Sequence, residues 1–323
     1  MKIAIIGSAK FDSLEFHIQD ELLVQGHEAK IFDYESVFSG RMDMGLSLIS
    51  TAYVDKKNRK LLKNILAFGP DFVIGVYRHI HPFVVKAIKQ ENIRIIHVNP
   101  DQLTTLQNQQ LFVEPYDVYF TKDPYMVSFM KNKLNLNARL YSEAFNDRIH
   151  KRPIMDAMEL EKEIDIDVLC FGNLYPYRNR MLHLLKEDGI KLTLFGNKAK
   201  YFDPFLETEY QNRGIYGEEK AKILNGAKIV FNNFHYAEIE SVNNKFFEIS
   251  GAGAFQICDY KPILKELLPV DPKLVSFESI DEAKKLMHFY LNKPEKRYEL
   301  RDIILNHFKE NYTYKQLIKT ILE

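Results

Sequence analysis

The amino-acid sequence predicts an α/β protein built from two Rossmann-like, doubly wound parallel-sheet domains. Short apolar runs of strand length alternate with segments of helical periodicity along most of the chain, which is the pattern of consecutive βαβ units. A polar, charged stretch at residues 146–165 interrupts this alternation, and 323 residues are more than one hydrophobic core usually holds. We therefore assign residues 1–145 to a first domain, residues 146–165 to a linker and residues 166–323 to a second domain.

The first half of the chain opens with a βαβ unit. A buried strand at residues 2–6 stops at Gly7, a helix follows at residues 12–25, and a second strand follows at residues 28–32. Further buried strands, most of them separated by helical segments, are predicted at residues 71–76, 93–98, 116–121 and 138–141. No G-x-G-x-x-G fingerprint follows the first strand, so we expect no dinucleotide site there.

Polar side chains follow two of these strands directly. His79 and His81 come after the strand at residues 71–76, and Asp101 comes after the strand at residues 93–98. Ligands bind outside the carboxyl ends of strands in open α/β sheets. His79 and Asp101 are therefore candidates for a catalytic general base, although Asp101 after a proline equally fits a turn. No other ligands accompany the two histidines at metal-binding spacing, so we predict no metal site.

Composition excludes several classes of protein. Lysine plus arginine equals aspartate plus glutamate, 44 of each, which argues against non-specific coating of nucleic acid. Cys170 and Cys258 both lie in apolar runs, so we expect buried thiols in a reducing compartment. The sequence shows neither a signal peptide nor an apolar run long enough to span a membrane, and the expected location is the cytoplasm.

The second half repeats one design: a strand, a turn with glycine or asparagine, and a helix. A strand at residues 168–171 leads into Gly172, Asn173 and a basic helix with Arg178, and the next strand ends at Gly196 and Asn197. Tyr216 and Gly217 precede a further helix. Because these residues lie at strand ends and helix starts, they are candidates for contacts to an anionic ligand. The candidates in this group are Asn173, Arg178, Gly196, Asn197, Tyr216 and Gly217.

Residues 240–259, ESVNNKFFEISGAGAFQICD, predict a helix followed by a buried strand. We expect Ser241 to cap the helix, Gly251 and Gly253 to end it, and residues 254–258 to form the strand. The helix start would present the N–H groups of Val242, Asn243 and Asn244, which attract phosphate. Lys245 adds a positive charge there, while Glu240 and Glu248 place one carboxylate on each side.

The same residues carry a family resemblance. The second half resembles the CgeB-like (spore maturation protein B) glycosyltransferases, which have the GT-B fold. The resemblance extends from about residue 165 onward and is strongest at Asn244-Lys245-Phe246-Phe247-Glu248-Ile249 with Gly251, Gly253 and Asp259. The residues from Val168 to Arg180 and Tyr312-Thr313-Tyr314 also match. Lys245 departs from the family, which usually has arginine there.

The resemblance implies two domains that face a cleft, with the acceptor bound by the first domain and a nucleotide sugar by the second. The last helix would cross back to the first domain. Glu248 would bind the ribose hydroxyls and Glu240 would approach the sugar. Backbone N–H groups of Asn243 and Asn244 would bind the diphosphate, whose charge Arg178 and Lys245 would neutralise.

The sequence therefore predicts a metal-independent glycosyltransferase that needs no cofactor and uses a nucleotide sugar, with a UDP-sugar as the favoured donor. A polysaccharide, a protein, a small molecule or modified DNA could each be the acceptor, and the oligomeric state and the stereochemical outcome stay open. Two alternatives also stay open: a nucleotide-sugar epimerase on the same fold, and a non-catalytic GT-B protein for binding or coat assembly.

Overall fold

A computed structural model of the chain describes residues 1–34, 45–47, 49–101, 103 and 109–323. These residues divide into two compact units. The first unit comprises Met1–Ser142 together with Ile318–Glu323, and the second comprises Glu143–Leu317. In each unit the described strands form one parallel sheet, and helices alternate with most of them along the chain, so the predicted fold class is confirmed.

The first unit contains a six-stranded parallel sheet in the order β2-β1-β3-β4-β5-β6. Its strands are β1 (Lys2–Ile6), β2 (Glu28–Phe32), β3 (Phe72–Gly75), β4 (Arg94–Asn99), β5 (Val118–Thr121) and β6 (Ala138–Leu140). The helices of the described residues are α1 (Leu14–Val24), α2 (Thr51–Phe68), α3 (Pro82–Gln90) and α4 (Pro124–Leu134), with a 3-10 helix at Gln109–Val113. Because β1 and β3 are covered on both faces, they read as nearly continuous apolar runs.

The second unit contains a five-stranded parallel sheet in the order β11-β10-β9-β7-β8. Its strands are β7 (Ile166–Leu174), β8 (Leu192–Lys198), β9 (Ala227–Asn232), β10 (Gln256–Asp259) and β11 (Ser276–Phe277). Its helices are α5 (Ala157–Ile164), α6 (Pro176–Glu187), α7 (Gly217–Gly226), α8 (Asn244–Gly251), α9 (Leu264–Leu267), α10 (Ile280–Leu291) and α11 (Pro294–Asn311). Short 3-10 helices lie at Pro204–Glu209 and Pro272–Leu274, and α12 (Tyr314–Leu322) runs from the second unit into the residues grouped with the first.

The segment predicted as a linker contains a helix of the second unit. Residues 146–165, predicted as a linker, lie in the second unit and contain α5, which packs against α7. Cys170 and Cys258 are buried free thiols in strands of the second sheet, as predicted. Within the described part of the chain, no helix combines the length and the apolar character that crossing a membrane requires.

Candidate active site

Arg178 lies in the first turn of α6, where its side chain is buried. Its Nε donates to Asn233 Oδ1 (2.7 Å), its Nη2 to the Asn233 carbonyl oxygen (2.9 Å) and its Nη1 to the Asn173 carbonyl oxygen (2.7 Å). All three acceptors are neutral, and no carboxylate of the described residues forms an ion pair with this guanidinium. The charge is therefore fixed in position and free to interact with an anion.

Lys245 supplies a second cation close to Arg178. Its Nζ donates to the Phe171 carbonyl oxygen (2.5 Å) and lies 4.9 Å from the centre of the Phe171 ring. Burial of the ammonium, with the Arg178 guanidinium as the next cause, lowers the pKa of Lys245 to about 7. No salt bridge joins Lys245 to a carboxylate of the described residues, so the two cations repel each other in the absence of an anion.

Two paired glycines make room for this lysine. Gly172 and Gly196 are partners in the β7–β8 register, with φ values of +98° and +119°. A Cβ on Gly172 would overlap Lys245 Nζ, and a Cβ on Gly196 would overlap the Gly172 carbonyl oxygen. Only glycine combines this backbone conformation with the close approach of the ammonium. Gly196 is one of the residues predicted to contact a ligand. In the structure it lies against the Gly172 carbonyl oxygen, next to the part of β7 that Lys245 contacts.

The start of α8 differs from the prediction. Asn243, not Ser241, is the N-cap residue, and its Oδ1 accepts from Phe246 N (3.1 Å). The predicted cap was wrong because Ser241 Oγ instead donates to the carboxylate of the buried Glu238, a charged acceptor. Val242 therefore precedes the helix and is buried in the hydrophobic core. The uncapped N–H groups at the helix start are those of Asn244 and Lys245.

Glu248 is buried and held between two helices. Its Oε2 lies 3.2 Å from Lys220 Nζ of α7, and its Oε1 accepts from Asn244 Nδ2 (3.0 Å). The Asn244–Glu248 contact has the i, i+4 spacing that places side chains on one helix face. Lys220 and Asn233 are site residues that the sequence reasoning missed, because their role depends on partners 28 and 55 positions away, Glu248 and Arg178.

The two acidic residues before α8 differ in exposure. Glu240, predicted to approach the sugar, is partly exposed, while Glu238 is buried. Lys261 Nζ donates to the carbonyl oxygens of Glu238 and Ile239. This lysine therefore holds the loop that carries Glu240.

The remaining donor-site candidates lie at the ends of β7 and β8 and at the start of α7. Asn173 and Asn197 are register partners, and Asn173 Nδ2 also donates to Tyr175 Oη (3.0 Å). Tyr216 is 59% exposed and precedes α7 without a side-chain cap bond, and Gly217 opens the helix with φ +54°. Because Lys220 on the same helix pairs with Glu248, the start of α7 and α8 belong to one cluster with Arg178 and Lys245.

The base candidates of the first unit lie after β3 and β4. His79 stacks on Tyr77, with ring centres 4.5 Å apart, and burial lowers its pKa, which leaves a neutral imidazole at pH 7 that can accept a proton. The Asp101 carboxylate is mostly exposed, 3.7 Å from Arg78 Nε. His81 Nδ1 accepts from Phe83 N (3.2 Å) and caps α3, which is a structural role.

A cavity of about 350 Å³ lies in the first unit beside His79, with Tyr34, Lys57 and Asn58 also in its wall.

The sequence reasoning missed Glu114, a buried carboxyl group in the same unit. Burial raises the pKa of Glu114 to about 7. Its carboxyl group interacts with the buried Tyr116 hydroxyl. Glu114 lies in a segment without clear hydrophobic periodicity, so no pattern in the sequence predicted that it is buried.

Comparisons with known proteins bear on the fold and on the second half of the chain. Residues 178–323 match a family described as "Glycosyl transferase-like", a range that begins at Arg178 and includes all of α8. No curated protein sequence is significantly similar to the chain. Solved structures match nearly its whole length. The chain has the fold of the GT-B glycosyltransferases.

Three of these structures illustrate the likeness. Sucrose-phosphate synthase from Thermosynechococcus elongatus is 13% identical with a TM-score of 0.71, covering 99% of this chain and 97% of that one. Anabaena HepE in complex with UDP and glucose is 11% identical with a TM-score of 0.70, covering 100% and 98%. The lipopolysaccharide outer core galactosyltransferase WaaB is 14% identical with a TM-score of 0.62, covering 100% and 99%. These structures confirm the predicted GT-B fold, and residues 178–323 are similar to a glycosyl transferase-like family.

Proposed function

We propose that the protein transfers a sugar from a nucleotide diphosphate donor, with a UDP-sugar as the first candidate, to an acceptor, as a CgeB-like glycosyltransferase. One observation carries the proposal: Arg178 and Lys245 are adjacent, held only by neutral acceptors and close to the start of α8. Two such cations repel each other until an anion lies between them. HepE, whose structure contains UDP and glucose, supports a uridine diphosphate donor.

The proposed mechanism rests on the charge that develops on the leaving diphosphate. Arg178, Lys245 and the N–H groups of Asn244 and Lys245 would stabilise that charge without a metal ion. In comparable oxyanion sites one fixed donor contributes about 3–4 kcal/mol to the transition state. Because these donors are already positioned, little reorganisation accompanies the reaction.

The other residues have proposed roles around this anion site. Glu248 binds the ribose hydroxyls, and its ion pair with Lys220 holds the carboxylate in position. Glu240 contacts the transferred sugar. His79 or Asp101 accepts the proton of the acceptor hydroxyl, and the neutral imidazole of His79 suits that task.

A binding experiment tests the anion site. R178Q should weaken UDP binding by about 10- to 100-fold in calorimetry, because charge-assisted hydrogen bonds contribute about 1.5–3 kcal/mol. R180Q, on the exposed face of the same helix, is the matched control and should bind UDP as the wild type does. Thermal unfolding of both variants shows whether the fold is kept. Equal UDP affinity in the wild type and R178Q would contradict the proposal.

An activity experiment tests the reaction. Wild-type protein should release nucleoside diphosphate from at least one nucleotide sugar, and E248A should reduce that rate. Conversion of the donor to an epimer without acceptor, followed by NMR, would instead indicate the epimerase. Absence of binding to every nucleoside diphosphate would indicate a non-catalytic protein.

A further inference from the structure

A second recess, of about 390 Å³, lies at the carboxyl ends of β9, β10 and β11 in the second unit. Phe234 follows β9, Asp259 ends β10 and Phe277 ends β11, while Tyr177 reaches the recess from the start of α6. Ligand sites in open α/β sheets lie at this edge. None of the donor contacts proposed above uses these residues.

Exposed aromatic rings surround the recess. Tyr177 is 41% exposed and Tyr236 is 75% exposed, and their ring centres lie 6.2 Å apart at 86°. His235 lies beside Tyr236, with ring centres 4.2 Å apart and the ring planes tilted by 32°. Solvent-exposed clusters of aromatic rings around a concave surface are typical of binding sites. A tyrosine ring also combines an apolar face with a polar hydroxyl, so it suits a ligand that has both characters.

The polar groups of the recess are held in fixed orientations. Asp259 accepts a hydrogen bond from Phe234 N through Oδ2, which fixes its carboxylate in the wall of the recess. His235 Nδ1 accepts from Ala237 N (3.1 Å), so the neutral imidazole carries its proton on Nε2 and can donate from there. The recess thus offers an acceptor, a donor and the tyrosine hydroxyls beside aromatic faces.

The charges of the recess disfavour an anionic ligand. The carboxylates of Asp259 and Glu278 both line it, and Lys261 Nζ is already bound to the carbonyl oxygens of Glu238 and Ile239. Lys261 is the one cation among the described residues of this lining and offsets only one of the two carboxylates, so a phosphate would meet a net negative charge. A neutral ligand with many hydroxyl groups fits these charges.

We propose that this recess binds a pyranose ring of a saccharide, at a subsite separate from the pyrophosphate site. The ring face of Tyr236 contacts the C–H face of the sugar, the perpendicular ring of Tyr177 contacts its edge, and the Asp259 carboxylate accepts from its hydroxyl groups. The saccharide is part of the acceptor or of the growing product. This role of the saccharide rests on the proposed glycosyl transfer, whereas saccharide binding to the recess can be measured without that reaction.

The test measures binding of neutral saccharides by saturation-transfer NMR, with methyl α-glucoside, methyl β-galactoside, methyl β-N-acetylglucosaminide and maltose as probes. At least one probe should bind the wild type, and Y236A and D259N should each weaken that binding at least fivefold. Y201A is the matched control, because Tyr201 is also 75% exposed and lies outside the recess. UDP affinity should be the same in all four proteins.

Three results would overturn the proposal. They are no binding of any probe to the wild type with or without UDP, unchanged binding in both Y236A and D259N, and loss of UDP binding in Y236A. The last result would assign the recess to the nucleotide site. Failure of the proposed function would look different, because UDP would then bind neither the wild type nor any variant while saccharide binding persisted.

Discussion

The charge of Lys245 is sensitive to its surroundings near neutral pH. Its pKa of about 7 is lower than that of a free lysine because burial and Arg178 disfavour the ammonium. A bound diphosphate favours the ammonium and so raises that pKa. Binding therefore takes up a proton between the two pKa values, and affinity must fall as pH rises above 7.

We accordingly expect the affinity for UDP-glucose to decrease between pH 6.5 and pH 8.5, with a slope approaching tenfold per pH unit. UDP-glucose is the suitable probe because its diphosphate has no terminal phosphate group that titrates in this range. Calorimetry at several pH values measures the slope. K245M, which has no titratable group, should bind weakly and without this slope. A flat profile in the wild type would show that Lys245 does not contact the diphosphate.

The sequence identified residues of the site by type and spacing but not their fixed partners. Arg178 and Lys245 could be predicted because cations next to strand ends and helix starts are typical of anion sites, and Glu248 could be predicted from the family resemblance. Asn233 and Lys220, which orient Arg178 and Glu248, could not be predicted, because neither contact follows from local spacing in the sequence. Ser241 was assigned as the cap since no local signal showed that buried Glu238 accepts its hydroxyl.

At the scale of elements, the Lys220–Glu248 ion pair joins α7 to α8 and is almost fully buried. K220M would leave the Glu248 carboxylate without its cation, and we expect a loss of about 3–5 kcal/mol in the free energy of unfolding. K222M is the control: Lys222 lies on the same helix and pairs with Glu163 at the surface, so its loss should cost about 0–1 kcal/mol.

K220M also distinguishes a structural role of Lys220 from a role of Lys220 in ribose binding. If Lys220 positions Glu248 for the ribose, K220M should bind UDP and 2′,3′-dideoxy-UDP with similar affinities, whereas the wild type and K222M should prefer UDP. Calorimetry with both nucleotides gives the ratio. An unchanged preference for UDP in K220M, with reduced stability, would mean that the ion pair serves the fold alone.

At the scale of the whole molecule, the parallel fold followed from the alternation of apolar runs and helical segments. Strands covered by helices on both faces must be apolar throughout, which left β1, β3 and β7 recognisable in the sequence. The contribution of α5 to the second unit could not be predicted, because this helix is short, half of its residues are charged, and its partner α7 lies far along the chain. Only tertiary packing assigns such an element to a unit.

The last six residues make the stability of the first unit depend on the end of the chain. Ile318 and Ile321 are fully buried, residues 318–323 group with the first unit, and Arg94 Nη1 lies 3.5 Å from the Leu322 carbonyl oxygen. I321A removes buried methyl and methylene groups from that unit, and we expect a loss of about 2–5 kcal/mol. I303A, at a 42% exposed position of α11, should change stability little. Hydrogen exchange resolves where the loss falls: I321A should lower protection in β3–β5 while β7–β9 keep theirs. Equal loss in both sheets would contradict this assignment, because it would mean that Ile321 supports the second unit as well.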